Sequence, residues 1–148
     1  IPPVTTLTLG RDDFALQQRL SDELDALNNA ALTSDDEAAL SVRLTADDGT
    51  LLGGLTGWTR GGCGGITSLW IAPQARGTGL GSRLILAAEA EIVRRGCDRV
   101  VVATMSFQAP GFYLRHGYRE VGLTPDMPDG TAKHHFHKHL TPPALPRE

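Results

Sequence analysis

The 148-residue chain has no run approaching the ~18 consecutive apolar residues of a membrane-spanning helix. Its first residues carry neither the basic start nor the apolar stretch of a signal peptide. No membrane partner is therefore expected, and a cytoplasmic location is. The chain begins at Ile1 rather than methionine, as a trimmed start would leave it. Cysteine is scarce: Cys63 and Cys97 stand alone, without a CxxC or a Cys/His zinc spacing, so two reduced thiols are expected. Internal repeats and low-complexity linkers are missing too, which leaves residues 1–140 as one expected domain and 141–148 as a short Pro-containing tail. There is no basic stripe. Residues 1–50 hold ten acids and three bases, whereas residues 51–148 hold seven and eleven. A surface that tracks phosphates needs a basic stripe, and the first third of the chain is acidic, so no nucleic-acid partner is expected. The acidic part suits a cationic small molecule, and equally a solvated acidic helix.

Glycine is what the chain has in excess, 17 residues of 148, with eleven of them between Gly49 and Gly81. Around them the pattern of apolar residues sets out the elements. Leu16, Leu20, Leu24 and Leu27 recur at helical spacing behind Asp12 and Asp13, which suit an N-cap. Ser34-Asp35-Asp36-Glu37 has the form of a capping box, but the alternation of Leu40, Val42 and Leu44 with Ser41, Arg43 and Thr45 predicts a strand there. Asp48-Gly49 supplies a hairpin turn into a strand from about Thr50 to Arg60. A glycine-rich turn around Cys63 then leads into a third strand, about Ile66 to Ile71. After a loop, Leu84, Ile85, Ala88 and Ile92 mark a second helix that Gly96 closes. Val100-Val101-Val102-Ala103 predicts a strand buried on both faces, joined to the third by a right-handed parallel crossover. Pro110 to His116 reads as a short helix, and Tyr118–Leu123 and Thr131–Leu140 as strands. The fold class expected is α/β: a mixed, mostly antiparallel sheet with a central parallel strand pair and flanking helices.

The segment Pro73 to Arg83 lies between a strand and a helix and holds Gly77, Gly79 and Gly81 at alternate positions, with Arg76 ahead and Ser82 behind. At a helix start several N–H groups lack partners and the dipole is positive, so glycines that admit a ligand to the backbone create an anion site. A Walker loop would end in Gly-Lys-Ser or Gly-Lys-Thr, where this chain has Gly81-Ser82-Arg83. A dinucleotide fingerprint needs GxGxxG and an acid at the end of the next strand; the spacing here is GxGxG and Asp98 precedes its strand.

Arg76-Gly77-Thr78-Gly79-Leu80-Gly81 instead resembles the (Gln/Arg)-x-x-Gly-x-(Gly/Ala) acetyl-CoA signature of the GNAT superfamily of N-acetyltransferases. Ala103 to Tyr118, with Phe112-Tyr113 ahead of Gly117-Tyr118, is similar to the family's stretch from the central strand through a short helix. The resemblance spans about Leu40 to Leu140. It implies acetyl-CoA as cosubstrate, with the pyrophosphate on the backbone of Arg76, Gly77, Gly79, Gly81 and Ser82, and with Thr78 and Leu80 in the same cofactor-binding loop. It implies that the strands part, freeing backbone of Leu69, Trp70 and Ile71 for the pantetheine arm, one N–H there polarising the thioester carbonyl. Ser106, Gln108, Gly111 and Phe112 complete the implied cofactor site.

The implied chemistry is direct attack of an amine on the thioester, which needs no nucleophilic residue and no metal. Tyr113 matches the family's tyrosine that protonates the departing thiolate; a phenol with a reference pKa of about 10 is protonated at neutral pH. The chain departs from many relatives in the base: Ile66-Thr67-Ser68-Leu69-Trp70-Ile71 carries no carboxylate. Glu37, a histidine near the end or a water chain are the substitutes. His135, His137 and His139 share one face of their strand, where a polar outer face ranks ahead of a base and a base ahead of a metal site. The expected function is N-acetylation of a primary amine on a small, cationic acceptor. The alternatives are protein lysine or N-terminal acetylation and a non-catalytic acyl-CoA-binding sensor. Relatives are often dimers, so a homodimer is an expectation that no seam in the sequence locates.

Overall fold

The computed structural model describes residues 5–141, so the expected tail beyond Thr141 lies outside the described residues. The described residues fall into two compact units, divided between Asp35 and Asp36. The first contains helix α1, Phe14–Ala31, whose N-cap Asp13 accepts from the Leu16 N–H at 3.0 Å. Its polar side is tied by the i,i+4 pairs Gln18 to Asp22 and Arg19 to Glu23, and the four leucines follow the helical period.

The second unit is a six-stranded sheet with two helices. Its elements are β1 (Ala38–Thr45), β2 (Leu51–Arg60), β3 (Cys63–Ile71), α2 (Leu80–Arg94), β4 (Arg99–Met105), α3 (Pro110–Arg115), β5 (Arg119–Met127) and β6 (Thr131–His139). The strand order is β1-β2-β3-β4-β6-β5. Every pairing is antiparallel except β3 with β4. The mixed sheet with one central parallel pair is thus as expected from the sequence. Asp48 helps close the first hairpin by accepting the Thr50 N–H at 2.9 Å. The capping-box residues are not helical: Asp36 accepts the Gly61 N–H and Glu37 pairs with Arg60. Cys63, expected in a turn, is the first residue of β3.

Both helices of this unit lie on one face of the sheet. Ile85, Ala88 and Ile92 of α2 are fully buried against Leu40, Leu55, Ile66, Val100 and Val102. Gly64 makes this approach feasible, since a Cβ there would stand 2.8 Å from the Ile92 side chain. The expectation of a fully buried β4 is corrected: Val100, Val102 and Thr104 are buried, while Val101 is 37% exposed. With both helices of the unit on one face, an apolar run settles into ordinary strand alternation.

One buried charge cluster ties α2 to the sheet. Glu89 accepts from the Tyr118 hydroxyl and from Lys138 Nζ, each at 2.8 Å. Removing one partner of a buried pair leaves the other charge uncompensated, whereas losing a neutral donor costs one hydrogen bond. Lys138→Met should therefore lower the unfolding free energy by about 3 kcal/mol. Tyr118→Phe should lower it by about 1 kcal/mol. Urea denaturation at neutral pH measures both, and equal losses would show that the charge pair carries no special weight.

Candidate active site

The site begins where two neighbouring strands stop pairing. β3 and β4 pair from Cys63 with Arg99 to Ile66 with Val102 and no further, although β3 runs on to Ile71 and β4 to Met105. The partner strands continue: β2 follows β3 to Ile71, and β6 follows β4 to Met105. Thr67 is the extra residue at the parting, because Thr56 faces Ser68 while Gly57 faces Ile66. A bulge of this kind bends its strand and increases its twist. Beyond it, peptide groups on the facing edges of β3 and β4 have no strand partner and line a cavity of about 590 Å³. Ile66 to Ile71 form one wall and Val102 to Thr104 the other, with Phe107 to Ala109, Phe112 and Tyr113 alongside.

A second cavity, about 250 Å³, adjoins it over the start of α2. Ile71, Arg76, Gly81 and Phe112 line both. Gly79 caps α2 at φ +82°, a left-handed conformation that suits glycine, and among the described residues no side chain caps the free N–H groups of the first turn. Gly81 lets the ring of Phe112 come close, since a Cβ there would meet it at 3.2 Å. Arg76 and Arg115 line this second cavity, and no described carboxylate does. The positive end of a helix dipole and two guanidinium groups give it an affinity for anions.

Tyr113 is 5% exposed, edge-on to Phe112 and Tyr118 and stacked on Phe136 at 5.8 Å. It still lines the first cavity. Burial pushes its phenol above its ordinary value of 10.0, so the proton stays on across the neutral range.

The model of the acetyltransferase (GNAT) family matches residues 8–118. The chain belongs to that family. Members transfer an acetyl group from acetyl-CoA to an amine, and the chain is an enzyme of this class. It is 46% identical over 93 residues to the blasticidin-S acetyltransferase of Streptomyces morookaense, covering 62% of this chain and 68% of that protein. It is 30% identical to acetyltransferase Atu2258 of Agrobacterium fabrum, over 80% of this chain and 86% of that one. A solved acetyltransferase from Bacillus cereus superposes with a TM-score of 0.81 at 29% identity, over 90% of this chain and 98% of the other.

In this GNAT enzyme the residues expected at the site from sequence fall into three groups. Leu69, Trp70, Ile71, Gln108, Phe112 and Tyr113 line the first cavity, with Arg76 and Gly81. Gly77, Gly79, Leu80 and Ser82 line the second. Thr78, Ser106 and Gly111 line neither. The Thr78 hydroxyl donates to the Ala75 carbonyl at 2.6 Å, and Ser106 exchanges hydrogen bonds with Ala132 at the start of β6. Gly111 lies against Arg115. Gln108 spends its carbonyl oxygen on the Met105 N–H and the Thr104 hydroxyl, which fastens the turn after β4.

Thr67, Ser68, Phe107 and Arg115 line the cavities without having been singled out from sequence. A basic residue in the last turn of a helix, two positions before its closing glycine, points to Arg115; nothing in the sequence marks the bulge. Glu37 pairs with Arg60 at 3.4 Å, at the end of the sheet where β3 and β4 are still joined, and so stands away from the cavity. The thiols are at that end too, both raised in pKa by burial. His137 and His139 meet edge to face at 4.5 Å, and His134 is held by Glu120. Among the described residues no three His, Cys, Asp or Glu side chains are grouped to hold a metal. No described helix is long and apolar enough to cross a membrane.

Tyr113 and Tyr118 are the chain's two tyrosines, and both are raised above 10.0, chiefly by burial. Since the folded values lie above the unfolded ones, stability is full below about pH 10 and falls as pH rises beyond it, where the unfolded chain ionises first. Tyrosinate absorbance at 295 nm should stay low in the native protein at pH 10.5 and appear only with unfolding. Native absorbance that titrates near pH 10 would show an accessible phenol.

Proposed function

We propose that this enzyme acetylates a primary amine of a small, cationic acceptor by direct attack on acetyl-CoA, with Tyr113 as general acid. The observation that carries the reading is the cleft between β3 and β4, which opens at one end on the α2 start and has the Tyr113 phenol in its wall. The pyrophosphate would lie on the first-turn N–H groups of α2, between Arg76 and Arg115. The pantetheine arm would add to the edge of β3 that lacks a strand partner around Leu69, Trp70 and Ile71, where the Ile71 carbonyl accepts from Arg76 Nε at 3.0 Å, as an extended ligand adds to a sheet edge.

In the reaction the neutral amine nitrogen bonds to the thioester carbonyl carbon, and the carbonyl π pair moves to oxygen. A β3 backbone N–H stabilises that oxygen. Collapse re-forms the carbonyl and breaks the carbon–sulfur bond. The sulfur leaves with the bonding pair and takes the phenolic proton of Tyr113. The ammonium proton is lost to water in the open cleft, and solvent returns a proton to the phenolate. No carboxylate is assigned as base, because none stands on the Ile66–Ile71 wall.

The small-molecule acceptor is supported by the 46% identity to an enzyme named for blasticidin S. A cationic one is supported by the acidic balance of residues 1–50. Blasticidin S, other amine antibiotics, polyamines and amine-bearing peptides form the panel for a thiol-release assay. Turnover confined to peptides would favour protein acetylation instead. Cofactor binding without turnover on any amine would favour an acyl-CoA sensor.

Acetyl-CoA at a hundredfold excess over its Kd should raise Tm by on the order of 5 °C. Gly79→Val should abolish that rise, because valine is strained at this φ and its side chain would stand in the open space over the helix start. An unchanged Tm for the wild-type chain would sink the cofactor site. Tyr113→Phe should lower kcat about a hundredfold and leave acetyl-CoA affinity intact. Equal kcat values would mean that solvent protonates the thiolate.

A further inference from the structure

The Ser82 hydroxyl lies 2.9 Å from Nε2 of His116, a contact between the third residue of α2 and the residue that closes α3. Ser82 lines the cavity over the α2 start. His116 is set behind it, its ring 4.7 Å from the ring of Phe112 and its backbone N–H on the carbonyls of Phe112 and Tyr113. The histidine is thus fixed by the helix that carries Tyr113, and it meets the anion cavity through the serine.

We infer that His116 is a positioning residue for the cofactor pyrophosphate, donating Nε2–H to Ser82 Oγ so that the serine's own proton is free for a phosphate oxygen. A hydroxyl has one proton and two lone pairs, and an imidazole nitrogen either donates or accepts. If Ser82 gave its proton to the ring, only lone pairs would face the anion, a repulsive arrangement. With the ring as donor, every group in the chain from His116 through Ser82 to phosphate points a proton toward negative charge, and each bond strengthens the next. The neutral Nε2–H tautomer and the imidazolium both serve. Ser82 therefore takes part through its side chain as well as its backbone, and a residue outside both cavities sets the direction of that side chain. This rests on the reading of the α2 start as the pyrophosphate site.

The test compares calorimetric binding of CoA and of pantetheine, which lacks the pyrophosphate, across five proteins: wild type, Ser82→Ala, His116→Leu, His116→Gln and the Ser82→Ala/His116→Leu double variant. The glutamine amide places an N–H donor near the position of Nε2. Ser82→Ala and His116→Leu should each raise the Kd for CoA about tenfold, as loss of one charge-assisted hydrogen bond does. The double variant should lose no more than either single one, His116→Gln should restore most of the affinity, and pantetheine binding should not change. The inference is overturned if His116→Leu leaves the CoA Kd unchanged or if glutamine fares no better than leucine. Losses that multiply in the double variant, or that affect pantetheine equally, overturn it as well. Should wild-type protein bind pantetheine as tightly as CoA, the pyrophosphate site itself falls, and the role of His116 with it.

Discussion

The parting of β3 from β4 is the constraint on which the rest of the molecule depends. Parallel pairing is given up after Ile66 and Val102 in the middle of a sheet, where unpaired peptide groups are costly unless something takes their hydrogen bonds. The parting persists because the strands are held from outside, β3 by β2 and β4 by β6, along their remaining lengths. The gap is therefore a property of the whole sheet. A flexible loop could not present two rigid, facing edges about a ligand, and the peptide groups exposed there are what an extended, amide-bearing arm requires.

The other parts of the site follow from where those strands lead. β3 runs into the loop that begins α2, so the positive end of the helix sits at the mouth of the cleft. β4 runs into α3, so Tyr113 is delivered to its wall. Electrostatics and desolvation then work in one direction. Among the described residues no side chain caps the α2 start, which arginines flank, and this favours an anion; the burial that packs Tyr113 against Phe136 also keeps its phenol protonated. Ser82 and His116 join the two helices, so the α2 start and the Tyr113 wall of the cleft share a support. Glu89, on the same α2, belongs to a different set of contacts: its carboxylate is engaged by Tyr118 and Lys138 and secures the far half of the helix.

Much of this was legible in the chain itself, for reasons that differ from residue to residue. The alternation from Leu40 to Thr45 and the Asp48-Gly49 turn are local, and local geometry decided them. The loop from Arg76 to Ser82 was legible because a helix start that offers its backbone needs glycine in a run that composition alone would not produce. Val100 to Ala103 misled, since an apolar run says that a strand is buried without saying on how many faces. The motif around Ser106 says nothing of its hydrogen bond with Ala132, a partner 26 residues away that no local pattern discloses.

What the sequence determined by itself was the order of elements, the turn positions, the glycine-rich loop ahead of α2 and the tyrosine after the central strand, each set by side-chain period or backbone conformation over a few residues. Tertiary structure alone decided that Thr67 is the surplus residue, that β3 and β4 separate there, that Glu37 and both thiols lie at the closed end, and that His116 reaches Ser82. Register, separation and cross-helix contact depend on residues far apart in the chain packing against one another, and the pattern within any one segment does not contain them.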